Sequence, residues 1–123
     1  MTKSPYTPKV LIADEMSPLA AETFRARGVA VEVKTSLALD ALAAALKDCD
    51  GLPVRSATKV KAATIANAPR LKVIGRAGIG VDNIDVAAAT GRGIVVMNTP
   101  YGNSITTAEH AIALMMALAR QIP

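Results

Sequence analysis

Apolar residues along this chain fall into short unbroken runs, separated by stretches where they recur every three or four positions. The first run, K-V-L-I-A at residues 9–13, ends at Asp14 and Glu15. A run of this length without polar alternation fits a strand buried on both faces, as in a parallel sheet. Ser17 followed by Pro18 reads as an N-cap with proline at the first helical position. The helix continues through Leu19, Ala20, Thr23 and Phe24 to Arg27, and Gly28 supplies its C-terminal stop. A second strand at 29–33 precedes a second helix at 37–47, with Leu39, Leu42 and Leu46 on one face. The short third strand, 51–54, contains Pro53, which removes a ladder donor and favours an edge or a strand end. A third helix over 58–66, with Thr58 in the cap position, closes at Ala68-Pro69. The fourth strand, 71–74, is followed by a brief helix at 86–90, a fifth strand at 93–97 and a turn-rich loop at 98–102. A long helix then runs from Ser104 to about Arg120, where Thr106 and Glu109 have capping-box spacing. Residues 1–8 are polar, carry Pro5 and Pro8, and read as a flexible lead-in.

Strand and helix thus alternate from end to end, which predicts an α/β fold: an open parallel sheet with helices on both faces. Ligands in such sheets sit beyond the carboxyl ends of the strands. Two loops qualify, the one after the third strand, with Arg55 and Ser56, and the glycine-rich one after the fourth, from Leu71 to Asn83.

In the second loop, L-K-V-I-G-R-A-G-I-G-V-D-N, three glycines (Gly75, Gly78, Gly80) surround Arg76. Glycine lets a ligand approach the backbone closely, converging N–H groups hold anions, and an arginine adds a bidentate grip on carboxylate or phosphate. A tight turn that needs glycine for geometry alone is the competing reading. The spacing is G-x-x-G-x-G rather than the dinucleotide fingerprint G-x-G-x-x-G, and Asn98 stands where a ribose-binding acid would be wanted, so the loop does not read as a pyrophosphate site. Arg55, at a strand end beside a hydroxyl and a helix start, suits an anion. Lys59 and Lys61 read as a solvated basic face. Asp82 and Asp85 read as helix-capping residues. Glu109 and His110 are adjacent on a helix, so they point about 100° apart and do not form a pair.

Charge sharpens the picture. The first fifty residues hold six basic and seven acidic side chains, the rest eight and three, so the second half leans towards anionic ligands. Long basic runs and interleaved aromatics are missing, which favours small anions over nucleic acid. A single cysteine, Cys49, forbids an internal disulfide and lies between two aspartates that would not activate it. One histidine gives no basis for a His-based metal cluster. Nothing resembles a signal peptide or a membrane span, and a cytoplasmic protein is expected. The last helix is apolar around more than one stripe, so cover from further sequence or a partner subunit is expected.

The stretch V-I-G-R-A-G-I-G-V-D-N-I-D-V-A-A-A-T-G-R-G-I-V-V-M-N-T-P-Y-G-N-S-I-T-T-A-E-H at 73–110, with R-S-A-T-K-V at 55–60, resembles the 3-phosphoglycerate-oxidising members of the NAD-dependent D-2-hydroxyacid dehydrogenase family. The likeness runs from Val10 to Pro123. It implies a flavodoxin-like substrate-binding domain at 9–102 and a crossover helix at 103–123 leading to an NAD-binding domain, in a homo-oligomer, dimer or tetramer. It also implies oxidation of 3-phosphoglycerate, or a related small 2-hydroxy acid, with NAD, the first step of serine synthesis. By the resemblance, Arg55 and Ser56 meet the substrate's charged groups. Arg76, with the backbone of Ala77, Gly78 and Ile79, lies against the substrate carboxylate and the nicotinamide end. Ile79 and Thr107 border the cofactor. The departures are as specific. The sequence lacks the family's G-x-G-x-x-G loop and its arginine, glutamate and histidine of hydride transfer. His110 matches none of these, and Ile79 replaces a hydroxyl residue of some relatives. The chain is therefore expected to be an N-terminal fragment that contains no catalytic residue and is inactive alone. The alternative is a free-standing small-anion binding or regulatory module of the same fold.

Overall fold

The computed structural model describes residues 6–122. Five strands, β1 (Lys9–Ile12), β2 (Ala30–Val33), β3 (Gly51–Val54), β4 (Val73–Arg76) and β5 (Val95–Met97), alternate with five helices, α1 (Pro18–Ala26), α2 (Leu39–Ala45), α3 (Ala62–Ala66), α4 (Val86–Gly91) and α5 (Ser104–Ala119). All strand pairs are parallel, in the order β2-β1-β3-β4-β5. The open parallel sheet is the one that the alternation predicts, and its doubly wound order is of the flavodoxin type that the family resemblance implies.

Strand side chains alternate between the two faces. On one face Leu11 and Ala13, Leu52 and Val54, and Ile74 join Leu42, Leu46, Ile65, Ala68 and Ala89 in a single buried cluster. Burying each of the large aliphatic side chains contributes roughly 1.5–3 kcal/mol. Val10, Ile12 and Ala21 are buried outside that cluster. Gly51 packs beside Val10 and Val73, because a Cβ there would stand 2.9 Å from a methyl of Val10 and 3.3 Å from one of Val73. Cys49 is fully buried, and burial pushes its thiol pKa up.

Local signals hold where the partners are local. The Ser17 side chain accepts from the Leu19 N–H at the start of α1, Gly28 turns the chain at φ +75°, and Asp85 caps α4 by accepting from the Ala88 N–H.

Other expectations change. Pro53 lies in the central strand, not at an edge. Its carbonyl accepts from the Ala13 N–H at 3.2 Å, and the recorded β1–β3 register is the single pair Val10 and Gly51. The missing donor is tolerated by a short ladder, while β3 keeps four paired positions with β4. The third helix starts at Ala62 because Thr58 turns its hydroxyl to Asp14 instead of capping. The fourth strand extends through Gly75 to Arg76, paired with Val54. Thr106 lies inside α5 and the cap position is Asn103, which makes no side-chain cap bond, so the capping box is not formed. Leu39 is exposed while Leu42 and Leu46 are buried, which narrows the buried face of α2.

The lead-in at 1–8 lies outside the described residues up to residue 5; Tyr6 is tied down. Its hydroxyl donates to Asp50, which also accepts from the Lys9 N–H (2.9 Å) and Arg70 (3.4 Å). Burial works against ionisation of Asp50, but these donors hold its carboxyl below the ordinary value. Among the described residues, no helix is long and apolar enough to cross a membrane. Helix α5 carries the expected apolar stripes but exposes them, with Met115, Met116 and Leu118 all strongly accessible, so the described residues do not supply its cover.

Candidate functional site

A cleft of about 500 Å³ opens beyond the carboxyl ends of β1, β2 and β3. Its walls include Asp14 and Glu15 after β1, Thr35 and Ser36 after β2, and Arg55, Ser56, Lys59 and Lys61 after β3. Ser36 adopts φ 58° there, a left-handed conformation that non-glycine residues seldom take.

The loop at 55–58 is held from two sides. From β1, the 5% exposed Asp14 accepts the Arg55 N–H at 2.6 Å and the Thr58 N–H at 3.1 Å, and receives the Thr58 hydroxyl at 2.6 Å. From the far side, the Asn83 carboxamide donates to the carbonyls of Arg55 and Thr58, both at 2.7 Å. With its backbone fixed, Arg55 projects as an exposed side chain whose Nη1 donates to the Glu15 carbonyl at 3.1 Å. The expected neighbouring helix start is absent, since α3 begins at Ala62. The local positive charge comes from Arg55, Lys59 and Lys61. The two lysines, which read from sequence as a solvated face, line the cleft.

Arg76 ends β4 next to Val54, so the two arginine-bearing strand ends are adjacent. Arg76 and Ala77–Ile79 lie outside the cleft lining. The Arg76 guanidinium folds over Gly78: a Cβ on that glycine would stand 2.0 Å from Nη1. Its Nε is buried without a hydrogen-bond partner. Two of the loop's N–H groups are already engaged, Ala77 donating to the Val54 carbonyl (2.8 Å) and Gly78 to the Arg76 carbonyl (2.9 Å). The Ile79 N–H has no backbone acceptor among the described residues. The loop is pinned to the exit of β5 by Thr99 N–H to the Gly78 carbonyl at 2.9 Å and Asn98 to the Ile79 carbonyl at 2.7 Å. Asn98 thus has a structural partner at the position where a dinucleotide site would want an acid.

Arg55 and Ser56 are therefore together in the cleft, Arg76, Ala77, Gly78 and Ile79 stand at the next strand end, and Thr107 is exposed on α5. Among the described residues, no group of three or more His, Cys, Asp or Glu is arranged to hold a metal ion. The residues missed from sequence are Asp14, Asn83 and Asn98. Asp14 had one visible signal, an acid placed immediately after a buried strand.

The family described as "D-isomer specific 2-hydroxyacid dehydrogenase, catalytic domain" matches residues 10–120. The chain is 55% identical over 115 residues to a D-3-phosphoglycerate dehydrogenase of Archaeoglobus fulgidus, and 52% identical over the same length to that of Homo sapiens. Each match covers 94% of this chain and 22% of the relative, so the chain spans about a fifth of the length of these proteins. Among solved structures, a protein of Thermus thermophilus superposes with a TM-score of 0.82 at 34% identity, covering 93% of this chain and 37% of that one. The NAD+-bound 3-phosphoglycerate dehydrogenase of Entamoeba histolytica gives 0.78 at 31% identity, covering 91% of this chain and 39% of that one. With the family matched across nearly its whole length and the parallel sheet in the same fold, the chain belongs to the D-isomer specific 2-hydroxyacid dehydrogenases.

Proposed function

We propose that this chain is the substrate-binding portion of an NAD-dependent 3-phosphoglycerate dehydrogenase, a cytoplasmic homo-oligomeric enzyme that opens serine synthesis. The observation that carries the reading is the cleft at the strand ends, where Arg55 and Ser56 face a space walled by Lys59 and Lys61. A substrate with a carboxylate at one end and a phosphate at the other needs two cationic grips. Arg55 and Ser56 hold one charged end, with the guanidinium giving paired donors and the hydroxyl a third. Arg76 and the Ile79 N–H, at the adjacent strand end, hold the carboxylate. Such an arrangement fixes the hydroxyl-bearing carbon between the two strand ends, and orientation of that kind is a large part of what a substrate domain contributes to catalysis.

The fit to NAD is partial. Ile79 presents an exposed apolar side chain and Thr107 an exposed hydroxyl, which suits the rim of a nicotinamide site. The sequence contains no G-x-G-x-x-G for a pyrophosphate. The cofactor's chemistry in such an enzyme is acceptance of a hydride, and its main contacts lie in parts of the enzyme that this chain does not match. His110, the sole histidine, sits exposed on α5 and is no candidate for the proton transfer that accompanies hydride loss. The 123-residue chain accordingly binds substrate without turning it over.

The test is a titration of the 15N-labelled chain with 3-phosphoglycerate, followed by amide shifts, together with an assay for NADH formation. Shifts centred on residues 55–58 and 76–79, weakened at least about tenfold in Arg55→Ala, support the reading. Absence of binding, or shifts confined to α5, overturns it. NADH formation by the 123-residue chain sinks the assignment of catalysis to other parts of the enzyme.

A further inference from the structure

Asn83 is only 7% exposed, and its backbone and side chain both engage the segment after β3. The carboxamide nitrogen lies 2.7 Å from both the Arg55 and the Thr58 carbonyl. The Asn83 carbonyl accepts the Val60 N–H at 2.9 Å, and Val60 and Ile84 form a parallel bridge. Two carbonyl acceptors can be satisfied only by the amide's NH₂, so the orientation of the group is determined by its partners. Its Oδ1 is left buried without a partner. Both donors go to one loop, 28 and 25 residues back in the chain.

We infer that Asn83 is a positioning residue that couples the two anion-gripping strand ends. It sits at the exit of the glycine loop that follows Arg76 and clamps the backbone that carries Arg55. The β3–β4 pairing sets the two strand ends side by side, and this carboxamide fixes the course of the backbone that carries Arg55 beyond that pairing, and so where Arg55 meets the other charged end of the substrate. Asp14 holds the same loop from β1, so Arg55 and Thr58 are each gripped on both sides, by N–H and by carbonyl. The inference rests on reading the cleft as the substrate site.

The experiment compares Asn83→Asp, Asn83→Ser and Asp85→Ala in the same 3-phosphoglycerate titration, with urea midpoints measured for each. Asn83→Asp keeps the shape but places oxygen against two carbonyls, and Asn83→Ser is too short to bridge them. Asp85→Ala, two residues away, removes the α4 cap and serves as a control for lost stability. Both Asn83 variants are expected to weaken binding about tenfold, as loss of a loop-positioning hydrogen bond pair should, while Asp85→Ala binds like the parent chain. If Asn83→Asp does not fold, Asn83→Ser decides. Asn83 variants that bind within about twofold of the parent, while Arg55→Ala binds weakly, overturn the inference and leave the cleft reading intact. An Arg55→Ala variant that binds like the parent overturns the cleft reading and the inference with it.

Discussion

Replacing Asp14 tests whether a buried carboxylate, and not the loop's own turn, fixes Arg55. Asp14→Ala leaves three donors without their acceptor: the Arg55 N–H at 2.6 Å, the Thr58 N–H at 3.1 Å and the Thr58 hydroxyl at 2.6 Å. Each lost bond of this type costs on the order of 1–3 kcal/mol when the donor stays buried. Arg55 is exposed and Thr58 half-buried, so water replaces part of what is lost. A total of about 3 kcal/mol follows, a large share of the roughly 5–15 kcal/mol of a whole domain. Asp14→Asn should cost less. Its oxygen can keep the Arg55 N–H, and its NH₂ can donate to the Thr58 hydroxyl, which is free to turn and accept. Losing only the charge should cost about 1–2 kcal/mol. Urea unfolding followed by circular dichroism measures both, and a loss of about 3 kcal/mol moves the midpoint by roughly 1–2 M. Combining Asp14→Ala with Thr58→Val should give less than the sum of the two, because the bond between the Thr58 hydroxyl and Asp14 is removed by either change alone. Stabilities for both Asp14 variants within about 0.5 kcal/mol of the parent, or an asparagine as costly as an alanine, would refute the reasoning.

Two further changes probe the neighbouring elements. Gly78→Ala puts a Cβ onto the Arg76 guanidinium, the movable end of a long side chain, and Gly78 is not at positive φ. Its stability should therefore change by less than about 1 kcal/mol while 3-phosphoglycerate affinity drops; unchanged affinity would show that the folded-over position of Arg76 is irrelevant to binding. At the β2 edge, Glu32 pairs with Lys34 (2.5 Å) and Lys9 (2.7 Å), and these contacts lower its pKa from 4.5 to about 2. Because the folded value is the lower one, the stabilisation is complete above about pH 4.5 and fades as the pH falls towards 2. The pair is partly exposed, so Glu32→Gln should cost about 1 kcal/mol or less near neutral pH and nothing once the carboxyl is protonated, with the difference shrinking in high salt. A cost that is equal at both ends of that range would dismiss the ion-pair account.

The elements of the fold were written locally, which is why they could be read from the chain. Short apolar-rich segments marked β1 to β5, although Glu32 interrupts β2, while Ser17-Pro18 and Gly28 bounded α1 and Asp85 announced α4, because each signal acts within a few residues of itself. Arg55 was visible as a cation at a strand end and Arg76 as one inside the glycine loop, and the structure extends β4 to Arg76. Tertiary structure decided the rest. Pro53 reads locally as an edge residue, yet it occupies the middle strand, since its neighbours β1 and β4 are chosen by burial on both faces rather than by its missing donor. Thr58 has the chemistry of a cap but gives its hydroxyl to Asp14, 44 residues away. Lys59 and Lys61 become cleft residues only when β1 and β2 bring their own loops alongside. The bonds of Asp14 and Asn83 to the 55–58 loop span 25 to 44 residues, and a contact at that separation leaves no periodicity, cap or turn in the sequence to announce it. The sequence alone determined which groups can meet an anion and which segments carry them. The gathering of Arg55, Ser56, Lys59 and Lys61 in one cleft, with Arg76 at the adjacent strand end, was decided by strand order and by two buried polar side chains, whose partners exist only once the sheet has formed.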